Sequence, residues 1–136
     1  GIEALSRGAR KAYFIENAPK ALACIEDNLA FTKMKDRAIV LKQDACAGLT
    51  GIYEKHVDVI FMDPPREGST PQFIESVARM APKRVVYVSC NPETLARDLA
   101  LLTKKGYRVE SSTPVDMFPH SEHIETVCAL SRRHKA

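Results

Sequence analysis

An α/β fold built on a mostly parallel sheet is predicted by two features of the sequence. Apolar runs of strand length, rich in β-branched residues, recur along the chain, and segments with helical periodicity separate them. Alternation of strand and helix favours parallel strands covered on both faces. Strands are expected near Ala12–Glu16, Ala38–Lys42, Val57–Met62, Arg84–Val88, Tyr107–Val115 and Ile124–Leu130. Helices are expected over Pro19–Thr32, where Leu22, Ile25 and Leu29 form a stripe, and over Pro71–Met80 and Pro92–Lys104, each opened by a proline suited to a first turn. The last two strands follow one another without a helix, so they should pair antiparallel. Residues 1–9 read as a helix already under way, with no strand and no glycine-rich turn before it. The chain is therefore expected to be one domain, 1–136, that lacks its first strand.

Composition narrows the class without naming it. The 136 residues are 45% hydrophobic and 27% charged, which is ordinary globular usage and argues against disorder. The formal charge of +3 permits contact with phosphates but does not require it, and its excess sits in the run from Ser131 to Lys135. Cys24, Cys46, Cys90 and Cys128 show neither CxxC pairing nor metal spacing, so no metal is expected. Free thiols fit the cytoplasm. No stretch approaches the roughly 18 to 20 apolar residues of a membrane span, and no signal-peptide pattern opens the chain.

Several polar residues stand where open α/β sheets bind ligands, at the carboxyl ends of strands. Glu16 ends the first predicted strand, where an acid can accept hydrogen bonds from both ribose hydroxyls. Asp44 follows the second strand, and Asp63 the third. Singly, an acid such as Glu16 or Asp44 is more often a helix N-cap; three in a row point to a site. Asp63 opens the sequence Asp63-Pro64-Pro65-Arg66, in which two prolines fix φ and stiffen a rim able to hold a flat base or cofactor. The alternative is a tight turn. Cys90 lies between an apolar strand and a helix opened by Pro92, with Asn91 beside it. A thiol at such a turn feels the helix N-terminus, which favours the nucleophilic thiolate. The other three cysteines read as small hydrophobes. The segment Asp116–Glu125 packs His120 and His123 with several acids, a spacing that matches no zinc pattern. Glu125 at the start of an apolar strand suits a general base instead.

Three blocks carry a resemblance: DPPREG at 63–68, VVYVSCNPETLARDL at 85–99 and PVDMFPHSEHIETV at 114–127. Across them, about half the chain, the sequence resembles the catalytic region of the RNA uracil-5 methyltransferases that act on ribosomal and transfer RNA. The resemblance implies a class I, Rossmann-like S-adenosyl-L-methionine-dependent methyltransferase sheet, truncated at its N-terminus, with an antiparallel last strand. It implies Cys90 as nucleophile and Glu125 as the base that removes the carbon-5 proton. Pro64, Pro65, Arg66 and Asn91 are then expected to meet the substrate RNA.

The first half is more similar to the small-subunit ribosomal RNA methyltransferases that modify the exocyclic amine of guanine, over GIEALSRGA at 1–9, AYFIENAPKALACIEDNL at 12–29 and VLKQDA at 40–45. Those enzymes carry an aromatic residue after the DPP, where this chain has Arg66. Both resemblances imply the same cofactor, with Glu16 on its ribose, Asp44 near the adenine and Asp63 toward the methyl donor. Two other outcomes follow from these departures: guanine-amine methylation, and an inactive fragment that retains weak RNA binding.

Overall fold

The computed structural model describes residues 1–53 and 56–134, in two compact units divided after Tyr53. Lys135, the end of the basic run, lies outside the described residues.

The first unit contains α1 (Ile2–Ser6), β1 (Ala12–Glu16), α2 (Pro19–Phe31), a 3-10 turn (Lys35–Arg37), β2 (Ala38–Lys42) and α3 (Ala45–Thr50). Strands β1 and β2 pair in parallel from Ala12↔Ala38 to Glu16↔Lys42. Pro19 opens α2, Leu29 is its buried residue, and Lys33, at φ 56°, follows its end in the left-handed region. Arg37 holds the approach to β1 by donating to the carbonyls of Leu5 (3.2 Å) and Ala9 (3.0 Å).

The second unit contains β3 (Val59–Met62), α4 (Pro71–Met80), β4 (Arg84–Ser89), α5 (Pro92–Lys104), β5 (Tyr107–Val115) and β6 (Glu125–Arg132), with strand order β3-β4-β6-β5. Strands β3 and β4 are parallel; β6 runs antiparallel to both β4 and β5. Pro114 is tolerated because β5 lies at the sheet edge, where a missing N–H costs no ladder bond. Ile74 and Val77 of α4, with Leu95 and Leu102 of α5, are buried together with Val85, Tyr87, Tyr107 and Leu130 of the strands. Burial of each such aliphatic side chain contributes roughly 1.5–3 kcal/mol. Thr70 and Asn91 cap α4 and α5 by accepting from Phe73 N and Glu93 N, and a proline follows each cap.

The α/β class and the antiparallel last strand are as the sequence predicts; several element ends shift by a residue or more, and the main differences are these. The strands form two sheets rather than one, since β1 and β2 pair only with each other. Strand β3 begins at Val59, not Val57, because its ladder starts opposite Arg84, and Pro82, two residues before Arg84, has no N–H to extend it. Strand β6 runs to Arg132, paired with Tyr107, so Ser131 and Arg132 extend it past its apolar stretch. Helix α3 is not among the expected elements; Asp44 caps it through bonds from Cys46 N and Ala47 N.

Candidate active site

In the second unit the paired strands β4 and β6 bring the two proposed reactive residues to one end of a sheet. The last rung of their ladder is Ser89↔Thr126. Cys90 is the next residue on one strand and Glu125 the preceding residue on the other, so the register leads the two positions toward each other one step past that rung. Directly opposed residues of antiparallel strands share a face. Both are half-buried, a state that shields them from bulk water while leaving surface to meet a ligand.

The segment after Cys90 is fixed by three short-range bonds. Ser89 Oγ donates to Asn91 O (2.9 Å) and accepts from Asn91 N (3.1 Å), which folds the chain tightly around the thiol. Asn91 Oδ1 accepts from Glu93 N at 3.0 Å, and the 13-residue α5 starts there. Asn91 is thus a helix cap as well as a substrate-contact candidate.

Asp63 follows β3, is exposed, and leads into Pro64, Pro65 and Arg66. The Arg66 carbonyl accepts from Asn91 Nδ2 (3.2 Å) and Thr94 Oγ1 (3.1 Å). Its guanidinium lies 3.3 Å from His123 Nδ1, two residues before Glu125. An arginine can only donate, so His123 Nδ1 accepts in this arrangement. Arg66 therefore joins the segment after the thiol to the segment before the carboxylate. Among the described residues no group of three or more His, Cys, Asp or Glu side chains is placed to hold a metal ion.

Sequence reasoning missed a second layer beneath this turn. Asp98 of α5 is fully buried and accepts from Ser69 N (2.7 Å), Tyr87 Oη (2.6 Å) and Arg97 Nε (2.9 Å). Burial, and then the bond to Asp98, raise the Tyr87 hydroxyl far above its ordinary value of 10.0. The available signal was an acid on an apolar stripe, Leu95, Asp98 and Leu102 at spacings of three and four.

Of the other cysteines, Cys128 is buried, with Sγ 3.4 Å from Ser112 Oγ, Cys46 is half-buried, and Cys24 lies exposed on α2, where it is not the small buried hydrophobe expected. A groove of about 890 Å³ lined by Lys83, Arg84, Arg108 and Arg132 opens at the start of β4, the end away from Cys90. Ser131 and His134 also line it, and it contains neither Cys90 nor Glu125.

In the first unit, Glu16 and Asp44 stand at the carboxyl ends of adjacent parallel strands. Glu16 Oε1 accepts from Asn17 N and Ala18 N, both at 2.9 Å, and Asp44 Oδ1 accepts from Cys46 N (3.0 Å) and Ala47 N (3.1 Å). Each carboxylate is oriented through one oxygen, and the second keeps its lone pairs. These acceptors fit a ligand that presents hydroxyl and amine hydrogens, as a nucleoside does.

Comparison with known proteins places the chain. The family described as conserved hypothetical protein 95 matches residues 1–116. The chain belongs to that family. The match takes in Cys90 but stops short of Glu125. Among curated relatives, an uncharacterized RNA methyltransferase of Bacillus cereus is 40% identical over 133 residues, covering 96% of this chain and 29% of the relative. Another, from Caldanaerobacter subterraneus, is 39% identical over 124 residues, covering 91% and 27%. The chain therefore spans less than a third of these relatives. A solved tRNA (uracil-54, C5)-methyltransferase of Pyrococcus abyssi, in complex with S-adenosyl-L-homocysteine, is 32% identical with TM-score 0.81, covering 96% of this chain and 31% of that one. A precorrin-6y C5,15-methyltransferase of Geobacter metallireducens shares the fold at 20% identity and TM-score 0.71, covering 90% and 66%. The fold is that of S-adenosyl-L-methionine-dependent methyltransferases. No helix among the described residues is long and apolar enough to cross a membrane.

Proposed function

We propose that this chain is the catalytic part of an RNA methyltransferase that modifies carbon 5 of uridine, with Cys90 as nucleophile and Glu125 as base. The observation that carries the reading is the shared end of β4 and β6, where the ladder finishes one step before both residues. The names of the relatives and of the Pyrococcus abyssi structure support RNA, and uracil carbon 5, as the target.

The cofactor is S-adenosyl-L-methionine, which when bound supplies the methyl group to carbon 5. Glu16 and Asp44 of the first unit would hold its ribose and adenine through their remaining carboxylate oxygens. The chain's own residues do the rest. Carbon 5 of uracil is a weak nucleophile, so the Cys90 thiolate adds to carbon 6, and the displaced π electrons make an enolate that is nucleophilic at carbon 5. After methylation carbon 5 carries a surplus proton, which Glu125 takes. The electrons left behind restore the ring double bond and expel the thiolate. Pro64, Pro65, Arg66 and Asn91 would border the uracil ring, which must be unstacked because a protein thiol cannot reach carbon 6 inside a helix.

One second reading is kept because the family match ends at residue 116 and omits Glu125: methylation of a guanine amine, which needs no thiol. RNA labelled with tritium at uracil carbon 5 separates the two. Release of tritium to water in step with methyl incorporation supports the first reading. Methyl incorporation without tritium release, with the methyl group recovered on guanine, would replace it with the second.

A further inference from the structure

We propose that Asp98 is a positioning residue for this site: it fixes the turn 65–70, and through that turn it holds Arg66 between the segments that carry Cys90 and Glu125. The inference rests on the reading of those two residues as the reacting pair.

The carboxylate is buried without any exposed surface, and its donors come from separate places: Ser69 N in the turn, Tyr87 Oη on β4 and Arg97 Nε on α5. Arg97 completes the hold, since its Nη2 donates to the carbonyls of Glu67 (2.9 Å) and Ser69 (3.2 Å). One backbone N–H and two backbone carbonyls of the turn are thus bound by adjacent residues of one helix. Gly68 shows how closely the turn is pressed against them. It sits at φ +78°, and a Cβ there would lie 2.6 Å from Arg97 Nη2, 2.7 Å from Asp98 Oδ2 and 2.9 Å from Thr94 Cβ. Only hydrogen fits.

Burial of the carboxylate offsets much of the attraction in its pairing with the half-exposed Arg97, so the pair contributes little net stability over apolar groups of the same volume. Apolar groups would not fix the turn in one place; directed bonds to its N–H and carbonyls do. That placement matters because Arg66 lies in the turn. Its carbonyl receives Asn91 Nδ2 and Thr94 Oγ1 from the Cys90 side, and its guanidinium meets His123 on the Glu125 side. A turn that drifts moves both arms, and a misplacement of about 1 Å in reacting groups costs on the order of a hundredfold in rate.

Two variants of the full chain test this: Asp98→Asn, which removes the charge, and Arg97→Met, which keeps the stem of a half-exposed side chain but removes its bonds to the turn. Two readouts apply: the rate of covalent attachment to an RNA containing 5-fluorouridine in the presence of S-adenosyl-L-methionine, against that RNA's Kd, and the ring nitrogen resonances of His123. The expected result is an attachment rate at saturating RNA lower by about tenfold or more, a change in Kd smaller than that, and shifted His123 resonances. A lower melting temperature with parental attachment rate and parental His123 resonances would reduce Asp98 to a structural residue and overturn the proposal. If Asp98→Asn fails to fold, Arg97→Met decides alone. If the parent itself forms no adduct, the uracil reading fails, and the His123 resonances still decide the role of Asp98.

Discussion

Asn91 joins two functions that substitution can separate. Its Oδ1 caps α5 by accepting from Glu93 N, and its Nδ2 donates to the Arg66 carbonyl at 3.2 Å. Loss of an asparagine cap costs about 1 kcal/mol. Loss of the second bond costs at the low end of the usual range, about 0.5 kcal/mol, because Thr94 Oγ1 still satisfies that carbonyl. Asn91→Ala should therefore destabilise the second unit by roughly 1.5 kcal/mol. Asn91→Ser keeps a capping oxygen and loses only the tie to Arg66, so it should cost roughly 0.5 kcal/mol. Urea denaturation gives the totals, and hydrogen exchange at the first-turn amides of α5 shows where the loss falls. Protection at Glu93 should drop in the alanine variant and persist in the serine variant. If serine costs as much as alanine, or Glu93 exchanges equally fast in both, the division of labour assigned to Asn91 is wrong.

Other outcomes follow from the same geometry. Gly68→Ala should destabilise by about 1–3 kcal/mol, from a left-handed backbone and contacts below 3 Å, as a thermal melt would show. Burial raises the hydroxyls of both Tyr87 and Tyr107, so the fold keeps their protons at a pH where the unfolded chain has lost them. Their contribution is complete below pH 10.0 and lost as pH rises through the raised values; Tyr87→Phe should flatten the alkaline limb of a stability–pH curve, and an unchanged limb would count against it. Glu75 is held below its ordinary value of 4.5, chiefly by its bond to Lys105, so its contribution is present above pH 4.5 and fades as pH falls through the lowered value. Glu75→Gln should make acid unfolding less steep there. Glu125→Gln should leave attack by Cys90 intact but block proton removal, so a methylated RNA–protein adduct should accumulate and be visible on a denaturing gel.

Much of this was legible in the sequence because local rules govern it. The proline at the start of α4 and of α5, preceded by Thr70 and Asn91, marks the helix starts to the residue. The apolar run through Val85 and Tyr87 marks β4, and the motif SCNP places Cys90 at its carboxyl end. Strand ends were less legible, since partner strands rather than hydropathy decide where pairing stops, as Arg132 of β6 shows. Division of the strands between two sheets was also unreadable, because pairing partners are set by three-dimensional placement. The Arg66–His123 contact spans 57 residues, and Asp98 reaches back 29 residues to Ser69. Neither separation leaves a periodic trace.

The most direct measurement is mass spectrometry of the protease-digested adduct formed with 5-fluorouridine RNA and S-adenosyl-L-methionine, in which carbon 5 holds fluorine that no base can remove. The account predicts a methylated nucleotide attached to the peptide containing Cys90, and none from Cys90→Ala. Attachment at Cys24, Cys46 or Cys128, or an adduct that survives in Cys90→Ala, would contradict it.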